Sequence, residues 1–428
     1  MRRTLLKSIL ICGLAGIFYC YEYVLRISPN VMLNDLMLEF DIRAGAVGNL
    51  AAFFYYAYTP LQLPAGFLLD RFGSRRMLTF AALCCALGTL LFSSTTVLEM
   101  AQFGRFLVGF GSAFALLGVL KLSATWIPSL YFPMMVGLII TFGTLGAMFG
   151  NIVMSWVNQG TDWKTIQYTL AFIGFLLTPL MWFVIVDSPA KPKSINYMVS
   201  HLKDHSFPNS VPDKDYKQIW KDTLQLAQNK MIWINALIGC LLYLPTSVFN
   251  ELWGHSCLLT VHGLCDTTAA SAISMTFLGW AIGSPIAGIL SSKLGKRKLL
   301  LQIASVVTFL LFSIILFLPN LSEITLHVLL FLFGLFASPQ ILVFAIAKDK
   351  CKPELLGTVF AFNNFVIMMG GLIGQPLVGK ILDFYLIENE LSRVPVYPAS
   401  SYILALSLLP LGLITAFCLT TVLKEEKI

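Results

Sequence analysis

The chain is divided into apolar stretches of membrane-crossing length, and little else in it is long enough to organise a fold. Runs poor in charge fall at 8–28, 44–69, 77–96, 101–126, 133–156 and 166–187, and again at 231–259, 267–291, 299–318, 324–347, 355–386 and 401–423. A helix needs about 20 predominantly apolar residues to cross the hydrocarbon of a bilayer. The pattern therefore predicts twelve transmembrane helices, the longest of them tilted or reaching beyond the hydrocarbon. Composition agrees: 57% of the 428 residues are apolar and 12% are charged, where soluble proteins carry about 45–50% and about 25%. A water-soluble enzyme is excluded, and the expected fold class is an all-α polytopic membrane protein. The opening MRRTLLK and the apolar run behind it look like a signal peptide, but the run continues to about Ile27 without a small-residue cleavage site, so a retained first helix is expected.

A polar stretch from Ser188 to Lys230, with seven Lys, four Asp and four Pro, separates six spans from six. The expected organisation is an N-terminal half over 1–188, a linker over 189–230 and a C-terminal half over 231–428. The net charge of +7 is a topology signal rather than an invitation to nucleic acid, because Lys and Arg concentrate in cytoplasmic loops of membrane proteins. With the N-terminus inside, 22 of the 29 cations fall on the cytoplasmic side and four (Arg43, Lys164, Lys380, Arg393) on the other. Both termini are thus expected in the cytoplasm, with the linker. The nine cysteines contain no CxxC spacing, which speaks against a zinc module or a disulfide scaffold.

The two halves repeat each other. GFLLDRFGSRRML begins at Gly66 after the second span, and GILSSKLGKRKLL begins at Gly288 after the eighth, 222 residues later. The first copy resembles the G-x-L-x-D-R-x-G-R-[RK] signature between helices two and three of the major facilitator superfamily. Arg105-x-x-x-Gly109-x-Gly111 in the fourth span and the glycines 137, 143, 146 and 150 of the fifth extend the resemblance over nearly the whole chain. YEYVLRISPNVM, KLSATWIP, ELWG and GWAIGSPIAG look like a bacterial branch that includes phthalate-permease-like carriers and the nutrient and amino-acid carriers of intracellular gammaproteobacteria. The resemblance implies two six-helix halves rocking about a central site at mid-membrane. It also implies that Asp70 and Arg71 help to hold the cytoplasmic side closed. The second copy has Ser292 in place of Asp70, so the two loops are not expected to act symmetrically.

Charges inside spans are costly, about 2.5–3.5 kcal/mol on insertion scales, and point to function or to a partner. Tyr19, Glu22, Tyr23 and Arg26 stand at i, i+3, i+4 and i+7 of the first span and share one face. They are expected to line the substrate cavity, the alternatives being a structural Glu22–Arg26 pair or an Arg26 that reaches outward to headgroups. Lys121 in the fourth span either snorkels to the cytoplasm or joins Arg26 in attracting a substrate carboxylate. Glu22 is then a proton-coupling group or a partner for a substrate ammonium. The seventh span supplies Tyr243 and Asn250 for substrate, and Glu251 and His255 as an i, i+4 proton relay, unless that end of the helix is simply wetted. Asn363 on the eleventh span is a further substrate candidate. Asp70, at the start of the signature loop, is expected to face the beginning of the eleventh helix near Glu354 as a latch. Arg71 and Arg105 are the other gating candidates, with outward snorkelling the alternative for Arg105. His255, Cys257, His262 and Cys265 match no common metal site, and a Cys257–Cys265 disulfide is the other way to read them.

These residues together predict a monomeric inner-membrane carrier that imports a small carboxylate-bearing nutrient, an amino acid or related organic acid, with protons and without a cofactor or metal. The competing functions are export of drugs or of a carboxylate siderophore, and a transport-dead sensor on the same fold. An exporter of lipophilic cations calls for a lone acid in an aromatic cavity, whereas Glu22 is accompanied by two cations. No HExxH, nucleophile elbow or nucleotide loop supports a membrane-embedded enzyme.

Overall fold

The computed structural model describes residues 2–127, 132–187, 221, 223–224, 226–351, 355–386 and 395–423. Most of the expected linker, together with Glu354, Lys352, Arg393, Lys424 and Lys427, lies outside the described residues. Eleven helices among the described residues are long and apolar enough to cross a membrane. The second span, Ala44–Phe72, is 29 residues long and makes the twelfth, although its tyrosines and Gln62 dilute its apolar surface. The first span, Arg2–Ile27, runs into a tight turn at Ser28–Asn30 and a short helix, Leu33–Phe40, that the apolar pattern does not predict. The others follow at Ser74–Ser94, Leu98–Trp126, Phe132–Asn158, Trp163–Val184, Lys230–His262, Asp266–Leu294, Arg297–Phe317, Glu323–Asp349, Leu356–Asp383 and Ala399–Val422. Twelve crossings bring the start of the first span and the end of the last to one face, the terminal face; the other is the far face.

The repeat extends from sequence into packing. Gly109 of the fourth span is pressed against the second so closely that a Cβ would sit 2.0 Å from the carbonyl oxygen of Phe54. Gly334 of the tenth span meets the eighth in the same way, with 1.9 Å to the carbonyl of Thr276. Only glycine permits such backbone contact. The signature loop turns at Gly73, whose φ of +84° suits a residue without a Cβ. Each signature loop is also tied to its own half: Asp70 pairs with Lys121 at 2.8 Å, and in the second copy Arg297 pairs with Asp349. The polarity is reversed, which accounts for the missing acid at Ser292.

Burial separates central from peripheral spans. Two-thirds of the seventh span's apolar window is buried (67%), against 33% of the sixth, which turns Phe172 and Phe183 outward as lipid-facing surface. Between the halves, the second span packs along the eleventh, the fifth along the eighth, and the end of the first against the seventh. The Ser274 hydroxyl donates across the fifth–eighth contact to the Met148 carbonyl at 3.0 Å.

Candidate functional site

The last turns of the first span carry the buried charge. Arg26 donates from Nε and from a terminal nitrogen to Glu22 Oε1, at 3.0 and 2.6 Å. One oxygen takes both bonds, and among the described residues Glu22 Oε2 has no partner within hydrogen-bonding geometry. The guanidinium also lies over the rings of Tyr23, Phe54 and Tyr58, at 4.7, 5.1 and 4.7 Å, a favourable arrangement for a desolvated cation. Tyr19 packs edge-on to Tyr23, in space left by Gly143 of the fifth span. The predicted face of the first span is thus assembled, and Arg26 does not reach outward: it is 4% exposed.

Arg105 does not snorkel either. It is buried and donates to the carbonyls of Leu25 and Arg26 at 2.7 and 3.2 Å. A helix end leaves its last carbonyls without intrahelical donors, and Arg105 supplies them where the first span breaks into the Ser28–Asn30 turn. It fixes the turn that presents Arg26, and its guanidinium, too, lies over Phe54.

The seventh span contributes the second buried carboxylate. Glu251 sits in a π-helical stretch, Thr246–Trp253, a wide-turned geometry that recurs at functional sites. Its carboxylate accepts the hydroxyl of Tyr55 from the second span, and that of Tyr243 from its own span at 3.0 Å. The Tyr55 bond crosses from one half to the other. His255 is not part of this set, which corrects the expected Glu251–His255 relay. The wide turn sends Glu251 inward, while the His255 ring faces the Asp266 carbonyl at 3.1 Å.

The contacts of three further candidates are as follows. Lys121 is not brought to Arg26: its ammonium bonds the Leu69 carbonyl at 2.7 Å and pairs with Asp70, held there by the end of the second span. Asn363 hydrogen-bonds Val343 and Asn235 inside the C-terminal half, at 3.2 and 3.5 Å, which ties the eleventh span to the tenth and seventh. Asp70 engages Lys121 of its own half, its expected partner near Glu354 lies outside the described residues, and Arg71 lies over Phe67 and Phe72. Asn250 lies beside Glu251, its backbone carbonyl accepting from Asn30 at 3.1 Å. Cys257 is buried and Cys265 exposed, both as free thiols.

Sequence reasoning misses the contacts that close the far face. Asp383, at the end of the eleventh span, accepts the Gly45 N–H at 2.9 Å. The Tyr397 hydroxyl accepts from the Ala44 N–H and donates to Asp383, both at 2.9 Å. The N-terminus of the second span is therefore capped by the opposite half. Gly379 and Gly48 permit the approach: Cβ atoms there would fall 2.4 Å from Ala44 O and 2.6 Å from Gln375 O. A cavity of 200 Å³ opens at the same face, lined by Asn34, Asp35, Asn158, His255 and Asp266 among others. Burial pushes the Asp35 carboxyl up, against the opposing pull of its hydrogen bond from Asn158.

The profile of the Major Facilitator Superfamily matches residues 12–375. A probable galactarate/D-glucarate transporter of Escherichia coli is 24% identical over 397 residues, covering 85% of this chain and 86% of the relative. A D-galactonate transporter of another Escherichia coli strain is 24% identical over 400 residues, covering 89% and 91%. In three dimensions, a bacterial homologue of the human lysosomal transporter Spinster, in an inward-facing and occupied conformation, superposes with a TM-score of 0.75 at 13% identity over 96% of both chains.

Proposed function

The chain belongs to the Major Facilitator Superfamily, and from that premise we propose that it is a secondary carrier that imports small organic acids, sugar acids before amino acids, together with protons. The observation that carries this reading is the state of Arg26. A buried guanidinium between the halves is compensated through a single oxygen of Glu22, while aromatic rings hold it in place. A substrate carboxylate can take Glu22's position on such a cation without leaving any charge unpaired, provided Glu22 is protonated at the same time.

That exchange supplies the coupling. A proton on Glu22 releases Arg26, the substrate carboxylate occupies it, and the buried charge stays balanced throughout, as a low-dielectric site requires. Glu251 is the second proton acceptor. Its bond from Tyr55 joins the halves, and a proton on the carboxylate weakens that bond as the halves part. The bias of 22 Lys and Arg against four supports termini in the cytoplasm, which makes the closed far face the periplasmic one. The sugar acids in the names of the relatives favour hydroxylated acids over the amino acids that the sequence equally allows.

The test is uptake of radiolabelled D-glucarate and D-galactonate by proteoliposomes. Accumulation that follows an inward proton gradient, and that unlabelled organic acids but not neutral sugars compete away, is the expected result. Uptake indifferent to the gradient refutes proton coupling, and competition by neutral sugars refutes the role of Arg26.

A further inference from the structure

Between Glu251 and the far-face cavity lies a cluster of amides that the exchange at Arg26 does not use. Asn30, Asn151 and Asn250, from the end of the first span, the fifth and the seventh, are each 0% exposed. Asn30 is fully engaged: it donates to the Asn250 carbonyl at 3.1 Å and to Asn151 Oδ1 at 3.4 Å, and accepts the His255 N–H at 3.3 Å. The others are not. Among the described residues, Asn151 Nδ2 and both amide atoms of Asn250 have no partner, nor have the hydroxyls of Thr246 and Ser155, one turn away on the seventh and fifth spans. Buried polar groups are nearly always hydrogen-bonded, and each exception calls for an explanation.

The chemistry of these atoms narrows what would satisfy them. They are uncharged and offer donors and acceptors side by side, which matches alcohol groups. A bare methylene chain would leave them all unpaired. Asn30 stands four residues beyond Arg26, on the side away from Glu22, so the cluster lies on the far-face side of the anchor, where the chain of a substrate held by its carboxylate can extend. Asn151 and Asn250 also belong to opposite halves, and a ligand that bonds both favours the conformation in which they face each other. Resting on the assignment of Arg26 as carboxylate anchor, we infer that Asn151 and Asn250 bind hydroxyl groups along the substrate chain and make the carrier selective for polyhydroxylated acids over plain carboxylates of the same length.

D-glucarate and adipate test this directly, because they share a diacid skeleton and differ in the hydroxyls. With the purified full-length protein, binding titrations should give glucarate an affinity at least about 10-fold above that of adipate, the scale set by leaving buried groups unpaired. Asn250→Leu should bring glucarate down to the level of adipate and leave adipate unchanged, and Asn151→Leu should do the same; if one variant does not fold, the other and the wild-type ratio decide. Equal wild-type affinities, or equal losses of both diacids in the variants, overturn the subsite and leave the anchor standing. Binding of both that survives Arg26→Ala overturns the anchor, with the ratio still judging the subsite. A wild-type protein that binds neither diacid overturns both.

Discussion

Removing Arg26 separates the structural part of its role from the proposed one, holding a substrate carboxylate. In Arg26→Ala, the Glu22 carboxylate, 0% exposed in the wild type, loses both hydrogen bonds that Arg26 gives it. Breaking a buried ion pair from one side costs about 3–5 kcal/mol, and the contacts with three aromatic rings add about 0.5–2 kcal/mol. Adding Glu22→Gln removes the uncompensated charge. Replacing a whole buried pair by neutral groups is commonly neutral or stabilising, so the double variant should recover about 3 kcal/mol of the loss, read as the coupling in a double-mutant cycle. Thermal unfolding of the purified proteins measures the stability arm, and glucarate uptake in proteoliposomes measures the transport arm. The expected outcome is a single variant that is unstable and inactive beside a double variant that is stable and still inactive. A stable double variant that transports at the wild-type rate refutes the anchor. A single variant as stable as the wild type refutes the dependence of Glu22 on Arg26.

Glu251→Gln keeps the size of the side chain but removes its charge and forces Tyr55 and Tyr243 to share one carbonyl; substrate exchange should persist while accumulation driven by a proton gradient is lost, and undiminished accumulation removes Glu251 from coupling. Gly379→Val places a Cβ against the Ala44 carbonyl, so spin labels across the far face should report a larger parted population, and unchanged distances would dismiss the seal. The hydroxyls of Thr267 and Thr268 hold the Cys265 thiol below the usual thiol range, which enlarges its thiolate fraction as pH rises towards neutrality. A membrane-impermeant maleimide added to intact cells should therefore label Cys265 readily at neutral pH and more slowly in Thr268→Val, whereas labelling only after permeabilisation would reverse the proposed orientation.

The fold was legible because membrane-crossing length and charge placement are local properties of the chain. The same holds for Glu22 and Arg26: four residues apart on one helix, they meet whatever surrounds them. Lys121 was not legible, because a long side chain near a helix end can turn either way, and the carbonyl of Leu69 decides which. The Glu251–His255 pair failed for a different reason. An i, i+4 argument presumes regular α-helical winding, and the π-helical turn separates the two groups. Tyr55 was concealed in a run of aromatics that reads as packing. Asp383 and Tyr397 meet the second span across more than 300 residues of chain, where no spacing rule reaches.

The cap that Asp383 and Tyr397 place on the second span bears on how easily the molecule changes state. The N–H groups of Ala44 and Gly45 are ones that any helix start leaves open, and on a wetted surface water serves them about as well as a carboxylate does. Parting the halves there exchanges one set of partners for another, and nothing is stranded. Deeper in, the amides of Asn151 and Asn250 have no hydrogen-bond partner among the described residues, and an opening that let water reach them would relieve that cost. The shut form is thus weighted by close backbone contact and relieved by hydration, two contributions of opposite sign. A carrier has to populate both of its forms within a few kcal/mol of each other, and a seal built in this way keeps the two close enough for the binding of a ligand to tip the balance.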